Sequence, residues 1–162
     1  IKYFGVEPTT FDFINLTQNL SNGEFNGYTT ITTKAALGDF SGKTSLYLDV
    51  EGANSSILEI PNQKGQENVD CITFDDFILK NKINKIKLLK LEAEGAEPEV
   101  LLGSLQSILK TEYVTVDCGP ERGINQESTE SFVNNFLEER SFKLIYSSQI
   151  QNRRLYKYIK LI

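Results

Sequence analysis

Short apolar runs of strand length alternate with segments of helical periodicity along this chain of 162 residues. The most apolar run covers residues 86–93, and Pro98 follows where the first turn of a helix is expected. Strands that alternate with helices predict an α/β fold, with a mostly parallel sheet that is covered on both faces. A sheet of this kind binds ligands at the carboxyl ends of its strands, near the point where the strand order reverses.

The other elements follow from the same patterns. Four further strands are predicted, over residues 1–6, 28–37, 70–73 and 113–118, the first of them buried. Three further helices are predicted, from Thr9 to Asn22-Gly23, over residues 74–81, and from Ser128 with an apolar stripe of Phe132, Val133, Phe136 and Leu137. The helix after Pro98 is expected to continue with Leu102, Leu105 and Leu109 on one face.

Two β-hairpins are expected in addition. The first joins residues 44–50 to residues 56–60 through a turn at 52–54, and a polar loop at 62–68 follows it. The second closes the chain, with strands at residues 142–146 and 155–161. This last hairpin requires an antiparallel edge on the otherwise parallel sheet.

The chain contains no histidine, which limits its chemistry. Ser–His–Asp and Cys–His nucleophile systems, histidine-ligated zinc and a histidine general base are therefore excluded within these residues. Acid–base chemistry falls to Asp, Glu, Lys, Tyr or Cys.

Charge and cysteine content narrow the partners. The net charge is −5, and no basic cluster exceeds pairs such as Arg153-Arg154, so a nucleic-acid partner is not expected. No apolar run approaches the roughly 18 residues of a membrane span. Cys71 and Cys118 are the only cysteines, and we interpret them as two buried thiols in a reducing compartment, which favours a cytoplasmic location.

The acidic turn, residues 92–97, is the first candidate site. Lys90, Glu92 and Glu94 share one face of the predicted strand because side chains alternate. Two like charges at the mouth of a buried sheet repel each other unless a cation, a lysine or a substrate hydroxyl compensates them. Such perturbed acids gather at functional sites. In the alternative interpretation, the strand simply ends in a solvated acidic loop.

Glu7 is the second candidate. It ends a predicted strand and precedes a helix, so its carboxylate could accept hydrogen bonds from both hydroxyls of a cofactor ribose. Alternatively it is a solvated acid near the start of the helix at Thr9.

The acidic turn and its flanks also carry a family resemblance. Residues 88–97 read LLKLEAEGAE, and Glu99, Val100, Leu101 and Gly103 follow. This segment resembles the signature I-K-I-D-V-E-G-A-E-x-E-V-L-x-G of the FkbM-type methyltransferases. Three other segments resemble the family in order and spacing, namely FGVEP at residues 4–8, AALGD at 35–39 and TFDD at 73–76.

The resemblance implies a class I, Rossmann-like fold that binds S-adenosylmethionine and methylates a hydroxyl of a glycan or a small natural product. In this analogy the ribose lies at Glu7 and Pro8, and the adenine lies beside Ala35 and Ala36. Because histidine is absent, we expect Glu94 to be the general base, with Glu92 positioning and Lys90 balancing their charge. The expected substrate-binding residues are Glu97, Asp117 and Arg122, although for Arg122 a plain turn with an exposed arginine is the favoured alternative.

Two departures from the family pattern matter. Glu92 stands where the family has an aspartate. The glycine-rich first strand expected before Ile1 is missing, so residues 1–162 are expected to form a single methyltransferase-like domain without its first strand. The sequence indicates no oligomeric state.

Three alternatives remain open. The chain could be a non-catalytic Rossmann-like module or a degenerate fragment that binds no cofactor. A nicotinamide-binding domain would also place Glu7 on a ribose, but the acidic turn argues against it. Oxygen ligands of Glu92 and Asp117 could share a divalent metal, which the sequence permits but does not predict.

Overall fold

The computed structural model describes residues 1–21, 27–50, 54–148 and 153–158. Its strands are β1 (Lys2–Glu7), β2 (Thr29–Lys34), β3 (Ala36–Gly38), β4 (Gly42–Asp49), β5 (Gln63–Thr73), β6 (Ile86–Leu91), β7 (Thr111–Asp117), β8 (Pro120–Arg122), β9 (Glu127–Ser128), β10 (Phe142–Ser148) and β11 (Arg153–Tyr158). Its α-helices are α1 (Thr10–Ser21), α2 (Phe74–Lys80), α3 (Glu97–Leu102) and α4 (Glu130–Glu138). The α/β class predicted from the alternating pattern is confirmed.

The strands form four sheets rather than one mostly parallel sheet. Their orders are β1-β2, β10-β11-β7-β6, β3-β5-β4 and β8-β9. Among the described residues, β1-β2, β3-β5 and β6-β7 pair in parallel, and four pairs are antiparallel. The mostly parallel prediction is therefore wrong. The antiparallel content comes from the last two strands, from the long strand β5 and from the small β8-β9 ribbon.

The main core lies on the four-stranded sheet. Leu89 and Leu91 of β6 and Val114 and Val116 of β7 are buried there, since parallel strands packed by helices require apolar side chains. The helices cover this layer with Phe77, Ile78, Val100, Leu101, Val133 and Leu137. Phe4 of β1 meets the ring of Phe77 edge-on, at 6.0 Å between centroids. The packing of this core holds the ends of β6 and β7 in place.

The predicted hairpin over residues 44–60 is wrong. β4 instead pairs along its length with β5, and only Tyr47 and Ser56 form a bridge between the two predicted arms. The segment 62–68, predicted as a polar loop, belongs largely to β5. Its side chains alternate between half-buried and exposed, and Val69 then anchors the strand against Leu46, with Cys71 buried two residues further on. The polar residues 62–68 form a strand because they pair with β4, and not because of their intrinsic propensity. Most of the predicted turn at 52–54 lies outside the described residues.

The helix after Pro98 is shorter than predicted. α3 ends at Gly103, and a 3-10 turn at Ile108–Lys110 follows. The expected apolar face of Leu102, Leu105 and Leu109 is 43–51% exposed. Val100, Leu101 and Ile108 are buried instead. Because the chain leaves the helix at Gly103, the helical period no longer selects the buried residues beyond that point.

Two strand predictions also need correction. Residues 28–37 form two strands, β2 and β3, which belong to different sheets. β1 is not a buried strand, since only Gly5 is buried and Ile1 before it is 93% exposed.

Several elements match their predictions. The closing hairpin is confirmed by the antiparallel pairing of β10 with β11, as far as residue 158. The predicted helix at residues 74–81 is α2, and Thr73 caps it by accepting a hydrogen bond from the Asp76 N–H at 3.0 Å. α4 buries Val133, Phe136 and Leu137, whereas Phe132 is 38% exposed and stacks on Phe136. Cys71 and Cys118 are buried free thiols, as expected.

Thr9 performs the capping role expected at the first helix. Its hydroxyl accepts a hydrogen bond from the Asp12 N–H at 3.2 Å and donates one to the Asp12 carboxylate at 2.8 Å. The helix is described to Ser21, and the predicted closing pair Asn22-Gly23 lies outside the described residues. None of the helices described is long and apolar enough to cross a membrane.

Gly103 gives a test of the packing between α3 and β3. A Cβ at this position would overlap the main-chain oxygen of Gly38. We expect Gly103→Ala to lower the free energy of unfolding by roughly 1–3 kcal/mol, the usual cost of overpacking, as measured by urea denaturation. Gly65→Ala is the control, because nothing lies within 4 Å of its added Cβ. Equal effects of the two substitutions would contradict the packing described here.

Candidate active site

Three strands bring charged side chains to one edge of the four-stranded sheet. β6 and β7 are parallel, so Glu92 and Asp117 leave the sheet at the same edge. β11 runs antiparallel to β7 and begins there, with Arg153 directly opposite Asp117. The acidic turn follows β6 at this edge. The sheet therefore joins distant parts of the sequence into one site, as the carboxyl-end rule predicts.

Glu92 is held by two cations. Lys90 contacts its Oε2 atom, and the Nη2 atom of Arg153 contacts its Oε1 atom. Burial alone would raise the pKa of Glu92, but the hydrogen bonds from Lys90 and Arg153 outweigh it and lower the pKa below its ordinary value. Glu92 is thus a stable anion near neutral pH. The pairing of Lys90 with Glu92 agrees with the predicted charge balance.

Glu94 lies in a different environment. Its backbone is left-handed, with φ of 49°, which is uncommon for a residue with a side chain. Burial raises its pKa, and the negative charges of Glu121, Glu97, Asp117 and Glu92 raise it further, to about 8. A carboxyl with this pKa exchanges its proton near neutral pH, as a general base must. Two acids two residues apart therefore have opposite protonation behaviour.

Glu121 is a member of the site that the sequence did not reveal. It lies on β8, and its carboxyl shares a hydrogen bond with that of Glu94. Burial raises the pKa of Glu121, as do the charges of Asp117 and Glu97, whereas the hydrogen bond with Glu94 lowers it. The short sequence GPERG predicted only a turn. Nothing in its spacing marked Glu121 as a neighbour of the acidic turn.

A close backbone contact makes this neighbour possible. Gly95 has φ of 87°, and a Cβ there would lie 2.7 Å from the Arg122 nitrogen and 2.8 Å from the Glu121 carbonyl carbon. Glycine alone permits both the conformation and the approach. The Arg122 guanidinium then donates to the Gly95 carbonyl oxygen at 2.8 Å and to both Glu99 oxygens, at 2.8 and 2.7 Å.

These contacts bear on the predicted substrate clamp. The guanidinium of Arg122 already forms a two-fold pair with Glu99, and its side chain is only 29% exposed. Such paired hydrogen bonds are among the strongest in proteins. The contacts assign Arg122 to holding β8 on the acidic turn, and they give no support to a substrate-binding role.

Glu97 is also built into the turn. It is 1% exposed, and its carboxylate accepts hydrogen bonds from the Ala93 N–H at 2.9 Å and the Gly95 N–H at 3.3 Å. Burial raises its pKa, and these hydrogen bonds offset part of the rise. The carboxylate satisfies N–H groups that the turn would otherwise leave unpaired. Its predicted contact with a substrate has no support in this geometry.

Asp117 is placed beside the turn with part of its surface open. Its Oδ1 atom accepts a hydrogen bond from the Gly119 N–H at 3.2 Å, and its Oδ2 atom lies 3.3 Å from Arg153. The side chain is 22% exposed. It stays a candidate for contact with a substrate.

The predicted cofactor residues lie at the ends of β1 and β2. Glu7 ends β1, and its Oε1 atom accepts a hydrogen bond from the Thr9 N–H at 2.8 Å. The same oxygen lies 2.9 Å from the Thr9 hydroxyl, whose single proton it shares with the Asp12 carboxylate. Both contacts use this one oxygen, which leaves Oε2 for a ligand hydroxyl. Pro8 is half-buried and separates β1 from α1. Ala35 and Ala36 are 2% and 4% exposed, and Ala36 belongs to the smaller core around Leu46.

A shared metal between Glu92 and Asp117 is not favoured. Arg153 contacts both carboxylates and supplies the positive charge that a metal would otherwise bring. Within the residues that the structure describes, no group of three or more His, Cys, Asp or Glu side chains could hold a metal ion.

A cleft of about 310 Å³ opens beside the β8-β9 ribbon. It is lined by Leu58, Glu59, Glu127 and residues 122–125. Arg122 therefore borders both the cleft and the acidic turn.

Sequence comparison decides the family. The Methyltransferase FkbM domain matches residues 4–144, which includes β1, the acidic turn and β8. The chain belongs to the FkbM methyltransferase family. No curated protein and no solved structure matches the chain significantly. The family assignment confirms the resemblance carried by the four ordered motifs, and the FkbM signature coincides with the turn that holds Glu94.

The unusual pKa of Glu94 predicts how stability in this FkbM domain depends on pH. The folded-state pKa of about 8 exceeds the ordinary 4.5, so between these values the unfolded chain loses a proton that the folded protein keeps. The contribution of Glu94 to stability therefore falls as the pH rises through this range. Glu94→Gln should match the wild type near pH 4 and exceed its unfolding free energy by about 1–3 kcal/mol near pH 8.5.

Urea denaturation across this pH range measures the difference. Glu139→Gln is the control, since that side chain is 74% exposed at the end of α4. A difference between Glu94→Gln and wild type that stays constant with pH would contradict the assigned environment.

Proposed function

We propose that this protein is an S-adenosylmethionine-dependent O-methyltransferase that acts on a hydroxyl of a glycan or a small natural product. The observation that carries the proposal is the split between two acids of the FkbM signature. Glu92 is anchored as an anion, whereas the pKa of Glu94 is raised to about 8. Paired acids with opposite environments are the usual mark of acid–base chemistry.

The chemistry needs a base because an alcohol is a poor nucleophile at neutral pH. Bound S-adenosylmethionine supplies an electrophilic methyl group on its sulfonium. Ionised Glu94 would accept the hydroxyl proton as the new oxygen–carbon bond forms and the carbon–sulfur bond breaks. Glu121 would hold the Glu94 carboxyl through their hydrogen bond, and Glu92 would fix the start of the turn. Alignment of the acceptor with the methyl group supplies the rest of the acceleration.

The residues at the ends of β1 and β2 fit the cofactor. Glu7 keeps one carboxylate oxygen for a ribose hydroxyl, and Pro8 fixes the chain that leads to Thr9. Ala35 and Ala36 present no bulky side chain beside this strand end. We assign Glu7 and Pro8 to the ribose and Ala35 and Ala36 to the adenine. Asp117 stays the proposed contact with the acceptor.

The class I topology belongs to the same proposal. β1 pairs with β2 alone and β6 with β7 alone among the described residues. A glycine-rich strand upstream of Ile1 would lie between β1 and β6 and bring its loop to the cofactor. The single domain over residues 1–162 and the cytoplasmic location both stay predictions.

Cofactor binding tests the ribose assignment. Isothermal titration calorimetry with S-adenosylmethionine should detect binding to the protein extended upstream of Ile1. Glu7→Gln should weaken it by about 10- to 100-fold, since hydrogen bonds to a charged group contribute about 1.5–3 kcal/mol. Asp12→Asn is the control, because it perturbs the same helix start through Thr9 without a ribose contact. No binding to the extended protein would favour the non-catalytic module instead.

Turnover tests the base. Release of S-adenosylhomocysteine with a panel of hydroxyl acceptors should fall by about 10²–10⁴-fold in Glu94→Gln, the usual contribution of a general base. In the wild type, turnover should rise with pH through about 8 and level off above it, as Glu94 loses its proton. Glu139→Gln should keep the wild-type rate and profile. Wild-type turnover in Glu94→Gln would remove Glu94 from this role.

A further inference from the structure

Arg153 lies at the edge of the four-stranded sheet that carries Glu92 and Asp117. The sequence motifs gave this residue no role. Its Nη2 atom contacts Glu92 Oε1 and lies 3.3 Å from Asp117 Oδ2. Its side chain is 29% exposed, against 33% for Glu92 and 22% for Asp117. A guanidinium placed between two half-buried carboxylates interacts more strongly than an exposed surface pair.

The next residues of β11 fix the direction of this side chain. Arg154 pairs with Glu130 of α4, with a nitrogen–oxygen distance of 2.7 Å, and the buried Tyr156 hydroxyl bonds Asn134 of the same helix. Side chains alternate along a strand, so Arg153 faces the opposite side from these anchors. The register places it directly across from Asp117. Its position is thus set by the strand itself.

Lys90 does not duplicate this arrangement. Among the residues that the structure describes, its ion pair is with Glu92, and its side chain is 59% exposed. Arginine also binds carboxylates through a rigid planar group, which the flexible lysine ammonium lacks. Arg153 is therefore the cation that links the acids of β6 and β7.

We infer that Arg153 is a positioning residue for the proposed methyl transfer. Its guanidinium holds Glu92 and Asp117 together as anions, so that Glu94 is left as the carboxyl that receives the proton of the acceptor. The inference rests on the proposed function for its catalytic meaning. Its physical content, the ion pairs of Arg153 with Glu92 and Asp117 beside Glu94, is independent of cofactor and acceptor.

The coupling has a defined sign. Glu94 faces Glu92 at the end of β6, Asp117 of β7, Glu97 of α3 and Glu121 of β8. Loss of Arg153 removes the charge that compensates Glu92 and Asp117, so these two anions act on Glu94 more strongly. The pKa values of both Glu92 and Glu94 should therefore rise. A merely structural arginine would change stability without moving these two titrations together.

NMR titration of side-chain carboxyl carbons tests this inference on the protein without any ligand. The Glu92 and Glu94 resonances are assigned by their loss in Glu92→Gln and Glu94→Gln. In Arg153→Gln, the pKa of Glu92 should rise by about half a unit to one unit, and that of Glu94 should rise in the same direction. In Arg153→Lys, the pKa of Glu94 should return most of the way to its wild-type value. Lys43→Gln removes the same charge from an exposed pair with Asp70 and should move neither resonance.

The outcomes separate cleanly. If neither pKa in Arg153→Gln differs from the Lys43→Gln control, the inference is overturned. Should Arg153→Gln fail to fold, Lys90→Gln decides, because Arg153 alone must then keep the pKa of Glu92 below its ordinary value, and that pKa must rise in high salt. A wild-type Glu92 with an ordinary or raised pKa would also overturn the inference. Calorimetry with S-adenosylmethionine tests the proposed function, and the NMR titration tests the effect of Arg153 on the carboxyl groups. Either experiment can fail while the other succeeds, so the two failures are distinguishable.

Discussion

The contact between the Gly95 backbone and the backbone of residues 121–122 is the constraint on which the acidic turn depends. It joins the segment after β6 to the segment after β7, which the sequence separates by more than twenty residues. The Arg122–Glu99 pair and the buried Glu97 carboxylate then fix the turn from either side. Glu94 and Glu121 meet because the two backbones already do. The site's chemistry is thus a result of main-chain packing.

Charge is distributed unevenly across this small region. At one end of the region Lys90 and Arg153 form ion pairs with Glu92. At the other end the carboxyl groups of Glu94 and Glu121 share a hydrogen bond, and this pair contains no cation. In a half-buried setting this arrangement lowers the pKa of one carboxyl and raises that of another two residues away. The left-handed backbone at Glu94 adds a local strain that the surrounding contacts must offset.

Much of the site could be predicted because it follows one strand in the sequence. Lys90 lies on β6 and Glu92 directly follows the strand, so the alternation of side chains placed these two together. Glu94 lies beyond the end of the strand with a left-handed backbone, which the alternation did not predict. Glu121 and Arg153 could not be predicted, because they reach the site through the contact of β8 with Gly95 and the pairing of β11 with β7, which no local pattern encodes. The same limit explains the fold errors. β4 pairs with β5 rather than with residues 56–60, which local alternation had favoured. α3 ends at Gly103, although the leucine spacing favoured a longer helix.

The contact between Gly103 and Gly38 has a consequence for how this sequence can vary. It joins α3, which begins in the acidic turn, to β3, which begins at Ala36. The atom that opposes a side chain at position 103 is a main-chain oxygen, which every amino acid carries. No second substitution at position 38 can remove it. A larger residue at 103 can therefore be accommodated only if a whole strand or helix shifts, and such a shift would move Ala36 and the acidic turn relative to each other.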